Sequence, residues 1–422
     1  MTLIEFFEKD AIENICSSLI RIPDRVIMIG DRKSMKKHTE RYETVLTSRG
    51  CSVEFIPRTI NKNKMQSIVD TLSGIVEEYD DCVFDLTGGD ELCLTATGIV
   101  CERYKDLNLQ MHRINVRNNT IIDADQDGIT IMEETAPLLS IEENVRIYGG
   151  DIVYDEDRDG TTFRWDMNTD FKRDINAMWD ICRKDVRLWN TQMVVLDTAE
   201  KFVSDNALTV TVPTDSLKDA VERCGGKYVT IRRILDGLVK CGILIHCEYN
   251  DDIFSVVYKN EQVKYCLITA GQALEMKVYL AALEAKEKDG SDTYNDVMNG
   301  VFIDWDGDIH TNPKEYDTEN EIDVIMMHGM VPVFVSCKNG YIEKDELYKL
   351  NTVATRFGGK YAKKVLVATA LDDSDYSNYL RQRAEDMNIR LVEGYAHKGF
   401  LKRFTELNDN EINSVLRTLW SS

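Results

Sequence analysis

The amino-acid sequence predicts an α/β protein. In the first 120 residues, short apolar segments alternate with amphipathic ones at the spacing of strand, helix, strand and helix, which favours a parallel sheet. The last third of the chain carries two more apolar runs, and these contain or precede charged residues. With 422 residues, 43% of them hydrophobic and 29% charged, the chain is long enough for two or three domains with separate cores.

The composition excludes several classes of protein. No run of about 18 apolar residues occurs, so we expect no membrane span. The N-terminal segment is acidic and lacks the basic region of a secretory signal, and the 11 scattered cysteines contain no Cys-x-x-Cys pair. Both observations favour a cytoplasmic protein with reduced thiols. The net charge of −22 argues against a protein that coats nucleic acid, but it is compatible with a nuclease whose basic surface is local.

The first 104 residues predict three strands and three helices in strict alternation. The strands are 25–30, 51–57 and 82–86, and the helices are 31–49, 63–79 and 91–104. In the second helix, Ile68, Leu72 and Ile75 recur at the helical period. Parallel strands joined by right-handed crossovers place ligand sites beyond their carboxyl ends.

Two polar loops are expected at that edge of the sheet. One contains Thr87, Gly88, Gly89 and Asp90; its glycines let a ligand approach the backbone, and the N–H groups at the following helix start suit a phosphate. The other contains Asp31, Arg32, Lys33 and Ser34, which add cations and a hydroxyl. Neither loop has the Walker pattern. The pair predicts a nucleotide-sized site, with two ordinary tight turns as the alternative.

Residues 120–170 are predicted to form hairpins with Asp-Gly turns at 127–128 and 159–160. The segment 123–134 also fits the letter pattern of an EF-hand loop. We reject a calcium site there, because an EF-hand needs flanking helices and this segment is flanked by strand-forming isoleucines and threonines.

The middle of the chain predicts a winged-helix unit. A helical stretch at 170–195 precedes two short helices, 216–224 and 230–241, and then two strands, 243–248 and 253–258. Helix, helix and hairpin follow one another as in a winged helix, which often binds DNA. The second helix carries only Arg232, Arg233 and Lys240 as basic residues, so a structural or dimerising unit is favoured.

The candidate catalytic residues lie on two predicted strands near residue 330. Glu321 and Asp323 alternate with Ile322, so on a strand both carboxylates point to one face. The β-formers 331–335 predict the next strand, and Ser336 and Lys338 share a face at its end. A divalent cation bound by Asp323 would polarise a phosphodiester and activate water. Lys338 would stabilise the developing charge or position the water. Two ordinary strand ends with a surface lysine are the alternative.

Two helical acids are candidates to complete this group. Glu275 borders an apolar helix face that includes Leu274 and Val278, so it can point toward the sheet or remain a solvated acid. Glu346 opens the helix after Lys338 and has the same two interpretations.

Together these segments resemble the CARF (CRISPR-associated Rossmann-like) proteins fused to a PD-(D/E)xK nuclease. The resemblance covers nearly the whole chain and is carried by the segments 85–90, 274–275, 320–323 and 336–339. It implies a Rossmann-like CARF domain at 1–150, a winged-helix-like connector at 151–265, and a restriction-endonuclease-like nuclease domain at 266–422.

The resemblance also implies an activity. Such proteins are effectors of type III CRISPR immunity that bind cyclic oligoadenylate, usually cyclic tetra-adenylate, across a homodimer. Binding activates Mn²⁺- or Mg²⁺-dependent cleavage of single-stranded DNA and RNA. By this resemblance Asp323, Glu275 and the backbone carbonyl of Cys337 bind the metal, whereas Glu321, Ser336 and Lys338 complete the catalytic set. The two polar loops then hold the cyclic ligand.

One residue departs from the family pattern. Ser336 stands where the motif has Asp or Glu, and a serine is a poorer metal ligand. We expect a carboxylate from Glu275, Glu321 or Glu346 to compensate. Two other functions remain open: a ligand-responsive winged-helix DNA-binding transcriptional regulator with a degenerate nuclease core, and a metal-free structural subunit.

Overall fold

The computed structural model describes residues 1–107, 109–125, 130–135, 137–154, 160–203, 207–269, 271–308, 319–393 and 409–419. These residues form three sheets, each with its own helices. No helix among them is long and apolar enough to cross a membrane.

The first sheet has seven strands. They are β1 (Thr2–Phe6), β2 (Arg25–Gly30), β3 (Glu54–Thr59), β4 (Cys82–Asp85), β5 (Gln110–Asn115), β6 (Thr120–Ala124) and β7 (Thr130–Thr135). Their order is β3-β2-β1-β4-β5-β6-β7, parallel from β3 to β5 and antiparallel from β5 to β7. The predicted parallel sheet is therefore confirmed. Its central strand, β1, was not predicted, because it is short and carries the charged residue Glu5.

Helices cover both faces of this sheet. They are α1 (Cys16–Arg21), α2 (Arg32–Ser48), α3 (Met65–Glu78) and α4 (Glu91–Arg103). Helices α3 and α4 pack on one face against Ile4, Phe6 and Ile29. On the other face, Leu3 and Met28 belong to a core that also includes residues of the C-terminal sheet. The first and last sheets of the molecule thus share one hydrophobic core.

The hairpins predicted for 120–170 are correct only in part. Strands β6 and β7 form the first hairpin; its turn, 126–129, lies outside the described residues. Residues 141–147 instead form a helix, α5 (Ile141–Ile147), which begins with a capping box between Ser140 and Glu143. This Ser-x-x-Glu signal was overlooked. The short strand β8 (Asp151–Ile152) pairs with the C-terminal sheet. Of the second predicted turn, 159–160, the first residue lies outside the described residues, as do 155–158 before it.

The middle segment has the predicted winged-helix order. Its elements are α6 (Thr169–Cys182), α7 (Val186–Glu200), β9 (Thr209–Pro213), α8 (Thr214–Arg223), α9 (Arg232–Lys240), β10 (Leu244–Tyr249) and β11 (Ile253–Tyr258). The strands form an antiparallel sheet in the order β10-β11-β9. Arg233 of α9 forms an ion pair of 2.6 Å with the buried Asp185, so one of its three basic side chains holds the unit together.

The C-terminal region forms a six-stranded mixed sheet. Its elements are α10 (Glu261–Ile268), α11 (Gln272–Leu283), β12 (Asp296–Asp304), β13 (Glu319–His328), β14 (Val331–Lys338), α12 (Asp345–Gly358), β15 (Lys363–Ala368), α13 (Asp375–Asp386), β16 (Arg390–Glu393) and α14 (Asp409–Thr418). The order is β16-β15-β14-β13-β12-β8. Strands β12 to β14 are antiparallel, and β14 to β16 are parallel. The sheet packs against α11 in one core and against α12 in another.

Candidate functional sites

The acidic group near residue 330 lies where β13 and β14 stop pairing. Their register runs from His328 opposite Val331 to Val324 opposite Val335. Beyond that point the N–H of Cys337 donates to Oδ2 of Asp323 at 2.5 Å. A carboxylate thus accepts a bond from the backbone where the strand ladder ends, which holds Asp323 in a defined position.

Two further side chains contact Asp323, and a third supports one of them. The Ser336 hydroxyl donates to the same Oδ2 at 3.3 Å. The Asn299 amide donates to the Asp323 carbonyl at 2.8 Å, and Gln272 donates to Asn299 at 2.9 Å. Ser336 therefore contacts the predicted catalytic carboxylate and contributes to its positioning.

Glu275 faces this group from α11. It is only 8% exposed, so it is not a solvated helix acid. Burial raises the pKa of Glu275 well above its usual value, and the charges of Asp323 and Glu321 raise it further. Of the two interpretations of Glu275, the structure supports the inward one.

The other two acids are also shifted. Burial raises the pKa of Asp323, although Lys338 and the Cys337 amide oppose the shift. Burial and then Asp323 raise the pKa of Glu321, the most exposed of the three acids. The charge of Asp323 raises the pKa of both Glu275 and Glu321 although Lys338 opposes it, so negative charge accumulates at this site, and a divalent cation would relieve it.

The donor chemistry of the site fits a hard divalent cation. Carboxylate oxygens are the ligands that Mg²⁺ and Mn²⁺ prefer, and Asp323 and Glu275 supply them. Within the described ranges, however, no group of three or more His, Cys, Asp or Glu side chains is arranged to hold a metal. Cys337 lies beside Asp323, in register with Val367 of β15, and its thiol is buried.

Lys338 is held by the helix that follows it. Its Nζ lies 2.9 Å from Oε2 of Glu346, whose Oε1 lies 2.9 Å from Nζ of Lys349. Burial lowers the pKa of Lys338, but Asp323 and Glu346 outweigh this, so the pKa is raised and the ammonium stays charged. For Glu346, burial is outweighed by the two lysines, so its pKa is lowered. Glu346 thus neutralises the lysines, whereas Glu275 and Glu321 face Asp323.

The two predicted ligand loops lie at one edge of the first sheet. The loop 87–90 follows β4, and the loop 31–34 follows β2. Strand β1 lies between these strands, so its continuation through Phe7 and Glu8 passes between the loops. The prediction that both loops meet at the carboxyl edge agrees with this topology.

Glu8 lies against the backbone of the loop that was predicted to hold a phosphate. The N–H of Gly89 donates to Oε1 of Glu8 at 2.7 Å. A Cβ on Gly88 would lie 2.7 Å from Cγ of Glu8 and 2.8 Å from the Phe6 carbonyl, so a side chain at this position would clash. Sequence reasoning missed Glu8, since nothing in the N-terminal segment signalled a contact 81 residues away.

The remaining loop residues divide into caps and exposed cations. Asp31 accepts from the backbone and hydroxyl of Ser34, both at 2.9 Å, and Asp90 accepts from Cys93 N at 2.9 Å. These bonds lower the pKa of both aspartates. Arg32 and Lys33 are exposed and line a cavity of about 570 Å³.

A buried polar network supports the loop 87–90 from below. Asp85 accepts from the Thr87 N–H at 2.7 Å and from the Ser17 hydroxyl, which also contacts His112 Nε2 at 2.9 Å. The Thr87 hydroxyl accepts from Ile114 N at 2.9 Å. Burial raises the pKa of Asp85, but His112 and Ser17 outweigh it, so the pKa is lowered. Ser17 and His112 were not predicted, because they are distant in sequence.

Similarity to known proteins is structural only. No protein-family model and no curated protein sequence matches the chain. Protein VC1899 from Vibrio cholerae has a crystal structure similar over 100% of this chain and 97% of its own, with a TM-score of 0.71 and 16% identity. Can2 from Sulfobacillus thermosulfidooxidans, solved in complex with cyclic tetra-adenylate, matches over the same shares with a TM-score of 0.65 and 13% identity.

These similarities establish the fold. The chain has the predicted α/β architecture, with a Rossmann-like parallel sheet at the N-terminus, a winged-helix-like middle segment and a mixed sheet at the C-terminus. The architecture is shared with both proteins over essentially their full length.

Proposed function

We propose that this protein is a metal-dependent endonuclease that cyclic tetra-adenylate activates to cleave single-stranded DNA and RNA, as a cytoplasmic homodimer in type III CRISPR defence. The observation that carries the proposal is the pair of carboxyls on the buried Glu275 and the half-buried Asp323 beside the charged Lys338. Sites with strongly shifted carboxyls and one cation are typical of catalytic centres.

In the proposed mechanism, Asp323, Glu275 and the Cys337 carbonyl would hold Mn²⁺ or Mg²⁺. A bound divalent cation supplies Lewis-acid polarisation of the phosphodiester. Lys338 places its ammonium where negative charge develops on the phosphate and orients the attacking water. Glu321 adds negative charge at the mouth of the site. Ser336 positions Asp323 and does not bind the metal itself. Glu275 therefore takes the place of the acid that the usual motif has at position 336.

The sensor domain is proposed to bind the activator at the two loops. The shared fold supports the choice of activator, since Can2 was solved with cyclic tetra-adenylate. Arg32 and Lys33 would pair with phosphates, and the N-termini of α2 and α4 favour anions. A phosphate on the Gly89 amide would have to displace the Glu8 carboxylate, which holds that N–H in the structure.

A homodimer is proposed because the ligand has two-fold symmetry, which suits a two-fold interface. Helix α4, directly after the loop 87–90, exposes Leu92 and Ile99 at 39% and 40%. Residues seven apart lie on one face of a helix, so a second copy of α4 would cover them.

Contacts between the domains support transmission of a signal. At the end of α12, the backbone N–H of Lys360 donates to Asp10 at 2.8 Å, and its ammonium lies 2.8 Å from Glu13. The Tyr361 hydroxyl donates to Glu13 at 2.6 Å. Helix α12 carries Glu346 at its other end, against Lys338. We propose that a movement of Glu8 reaches Lys338 through this helix.

The test is a cleavage assay with labelled single strands, Mn²⁺ and cyclic oligoadenylates of several ring sizes. We expect cutting only when metal and the matching ring are both present, and we expect cyclic tetra-adenylate to be the best activator. Sedimentation of the ligand-bound protein should show a dimer. Cutting that ignores the ligand, equal cutting by Lys338→Ala, or a ligand-bound monomer would contradict the proposal.

The regulator alternative makes a different prediction. It requires sequence-specific, metal-independent binding of duplex DNA through α9. The ion pair of Arg233 with Asp185 uses one of the few cations available there, which weakens this alternative. Calorimetry with Mn²⁺ distinguishes the third possibility, a metal-free structural subunit, from the proposed nuclease, because only the nuclease would bind the cation.

A further inference from the structure

Three exposed tyrosines stack in a row near the candidate nuclease site. The rings of Tyr341 and Tyr376 lie 5.8 Å apart with 9° between their planes, and those of Tyr376 and Tyr379 lie 6.5 Å apart at 29°. Their exposed fractions are 77%, 36% and 44%. We call this row the tyrosine ladder. Large aromatic side chains are usually well buried, so a row of them on the surface indicates a contact with another molecule.

The ladder lies at the same sheet edge as Lys338. Strands β14 and β15 are parallel, and their last paired residues are Lys338 and Ala368. Tyr341 follows β14 by three residues, after Gly340, whose φ of +138° disfavours any other residue. Tyr376 is the second residue of α13, the helix after β15. The carboxyl ends of parallel neighbours lie at one edge, so the ladder extends from the predicted catalytic lysine.

The backbone fixes the geometry of the ladder. The Tyr376 hydroxyl donates to the Ile342 carbonyl at 3.1 Å, which ties α13 to the loop that carries Tyr341. Beside the ladder, Tyr348 of α12 is 40% exposed, and the Arg383 guanidinium donates to its hydroxyl at 2.7 Å and lies 5.6 Å from its ring centroid. Rings held in place lose little further entropy when a flat partner stacks on them.

The charge around the ladder narrows the choice of partner. Acids such as Glu343 and Asp375 accompany the lysines of this edge, so the surface is not a basic patch that would grip a phosphate backbone. It offers π faces instead. A duplex hides the faces of its bases within the stack, whereas a single strand exposes them to aromatic side chains.

We propose that the tyrosine ladder is a stacking platform for the unpaired bases of a single-stranded nucleic acid whose backbone reaches Lys338. The inference rests on the proposed nuclease function and adds the reason for a single-strand preference. Tyr341 is the outermost ring and takes the first base; Tyr376 and Tyr379 support it from behind.

The test measures binding separately from cleavage. The full-length protein is titrated into a fluorescent single-stranded oligonucleotide in EDTA, with the activator present. We expect Tyr341→Ala to weaken binding about tenfold, which corresponds to about 1.4 kcal/mol, and Tyr341→Trp to retain it. An oligonucleotide of the same length without bases should bind weakly and equally to wild type and Tyr341→Ala. Phe202→Ala, which removes an aromatic exposed to 44% after α7, is the matched control.

Kinetics give the second measurement. With Mn²⁺ and activator, Tyr341→Ala should raise KM for single strands while kcat at saturation is unchanged. If wild type cuts but Tyr341→Ala and Tyr376→Ala bind and cut as well as wild type, the ladder has no such role and the nuclease proposal stands. If binding depends on Tyr341 but wild type never cuts, the platform is supported and the nuclease proposal fails.

Discussion

The carboxyl of Glu275 illustrates how one residue links stability to function. Its pKa in the folded protein is raised well above the ordinary value, chiefly by burial and then by Asp323 and Glu321. The folded state therefore binds the proton more tightly than the unfolded state. The stabilising contribution is fully present below the unfolded pKa and is lost as pH rises through the folded pKa. Without a cation, the site weakens the fold in neutral and basic solution, as functional sites often do.

Glu275→Gln should therefore stabilise the metal-free protein. We expect its melting temperature in EDTA to exceed that of wild type by roughly a few degrees at pH 8, and the difference to shrink toward pH 5. Thermal unfolding followed by circular dichroism measures this. Glu287→Gln, a change at an exposed acid, should leave the melting temperature unaltered at both pH values. Identical melting temperatures of Glu275→Gln and wild type at pH 8 would contradict the inference that the charged Glu275 carboxylate destabilises the metal-free protein.

Cation binding should depend on pH in the opposite direction. Because the pKa values of Asp323 and Glu275 are raised, both acids must lose protons before they bind a cation. We expect the Mn²⁺ affinity measured by calorimetry to rise between pH 5.5 and 8, with proton release. Asp323→Asn should lose most of the binding heat. A pH-independent affinity, or full binding by Asp323→Asn, would show that the cation binds elsewhere.

At the scale of elements, helix α12 orders the lysines around the site. Glu346 in its first turn pairs with both Lys338 and Lys349, but Lys338 also lies near Asp323. The Lys349 side chain is 67% exposed, against 28% for Lys338. The two lysines thus share Glu346 as a partner, but Lys338 also lies near Asp323, the predicted catalytic carboxylate, whereas Lys349 is mostly exposed to solvent.

This pair gives a matched test of catalysis. We expect Lys338→Ala to lower kcat by about 10²- to 10³-fold, as removal of one positioned transition-state donor does. Lys349→Ala should retain nearly the wild-type rate, because exposed ion pairs contribute little. Activator-saturated cleavage of a single strand under single-turnover conditions measures both. Equal losses in the two variants would mean that Glu346, rather than the Lys338 ammonium, controls the rate.

At the scale of the whole molecule, the N-terminal and C-terminal domains share a core and a polar contact. Leu3 and Met28 of the first sheet belong to the same apolar cluster as Phe334 of the last. Glu13, nearly buried at 6% exposure, accepts from both Lys360 and Tyr361 next to this cluster. A rigid, shared interface can pass a displacement from one domain to the other, because packed cores do not deform continuously.

Glu13→Ala should uncouple the two domains. We expect the stimulation of cleavage by saturating activator to fall about fivefold or more. A factor of about five corresponds to the lower end of the coupling free energies that are typical between two sites. Coupling between two binding sites is reciprocal. If the cleavage rate reports a binding equilibrium, the affinity of the protein for the activator should therefore change by a similar factor. Glu54→Ala, which truncates an exposed acid of β3, is the control. Wild-type stimulation in Glu13→Ala would place the signal on another route.

The sequence by itself determined the local structure of this protein. Strand and helix alternation located β2 to β4 and α2 to α4, and the order helix, helix, hairpin located the winged helix. The residues of the candidate site were named from their spacing on strands: Glu321 with Asp323, and Ser336 with Lys338. These features depend on neighbours within a few residues, and periodicity and turn chemistry report such neighbours directly.

Only the tertiary structure decided which distant groups meet. It buried Glu275 near the charge of Asp323, it paired Glu346 with Lys338, and it brought Glu8 to the Gly89 amide. It also inserted β1 into the centre of the first sheet. Each outcome depends on burial and on contacts between segments far apart in the chain. Burying an unpaired charge costs more free energy than the local preference of a segment for helix or strand contributes. The packing of the core therefore determined these positions.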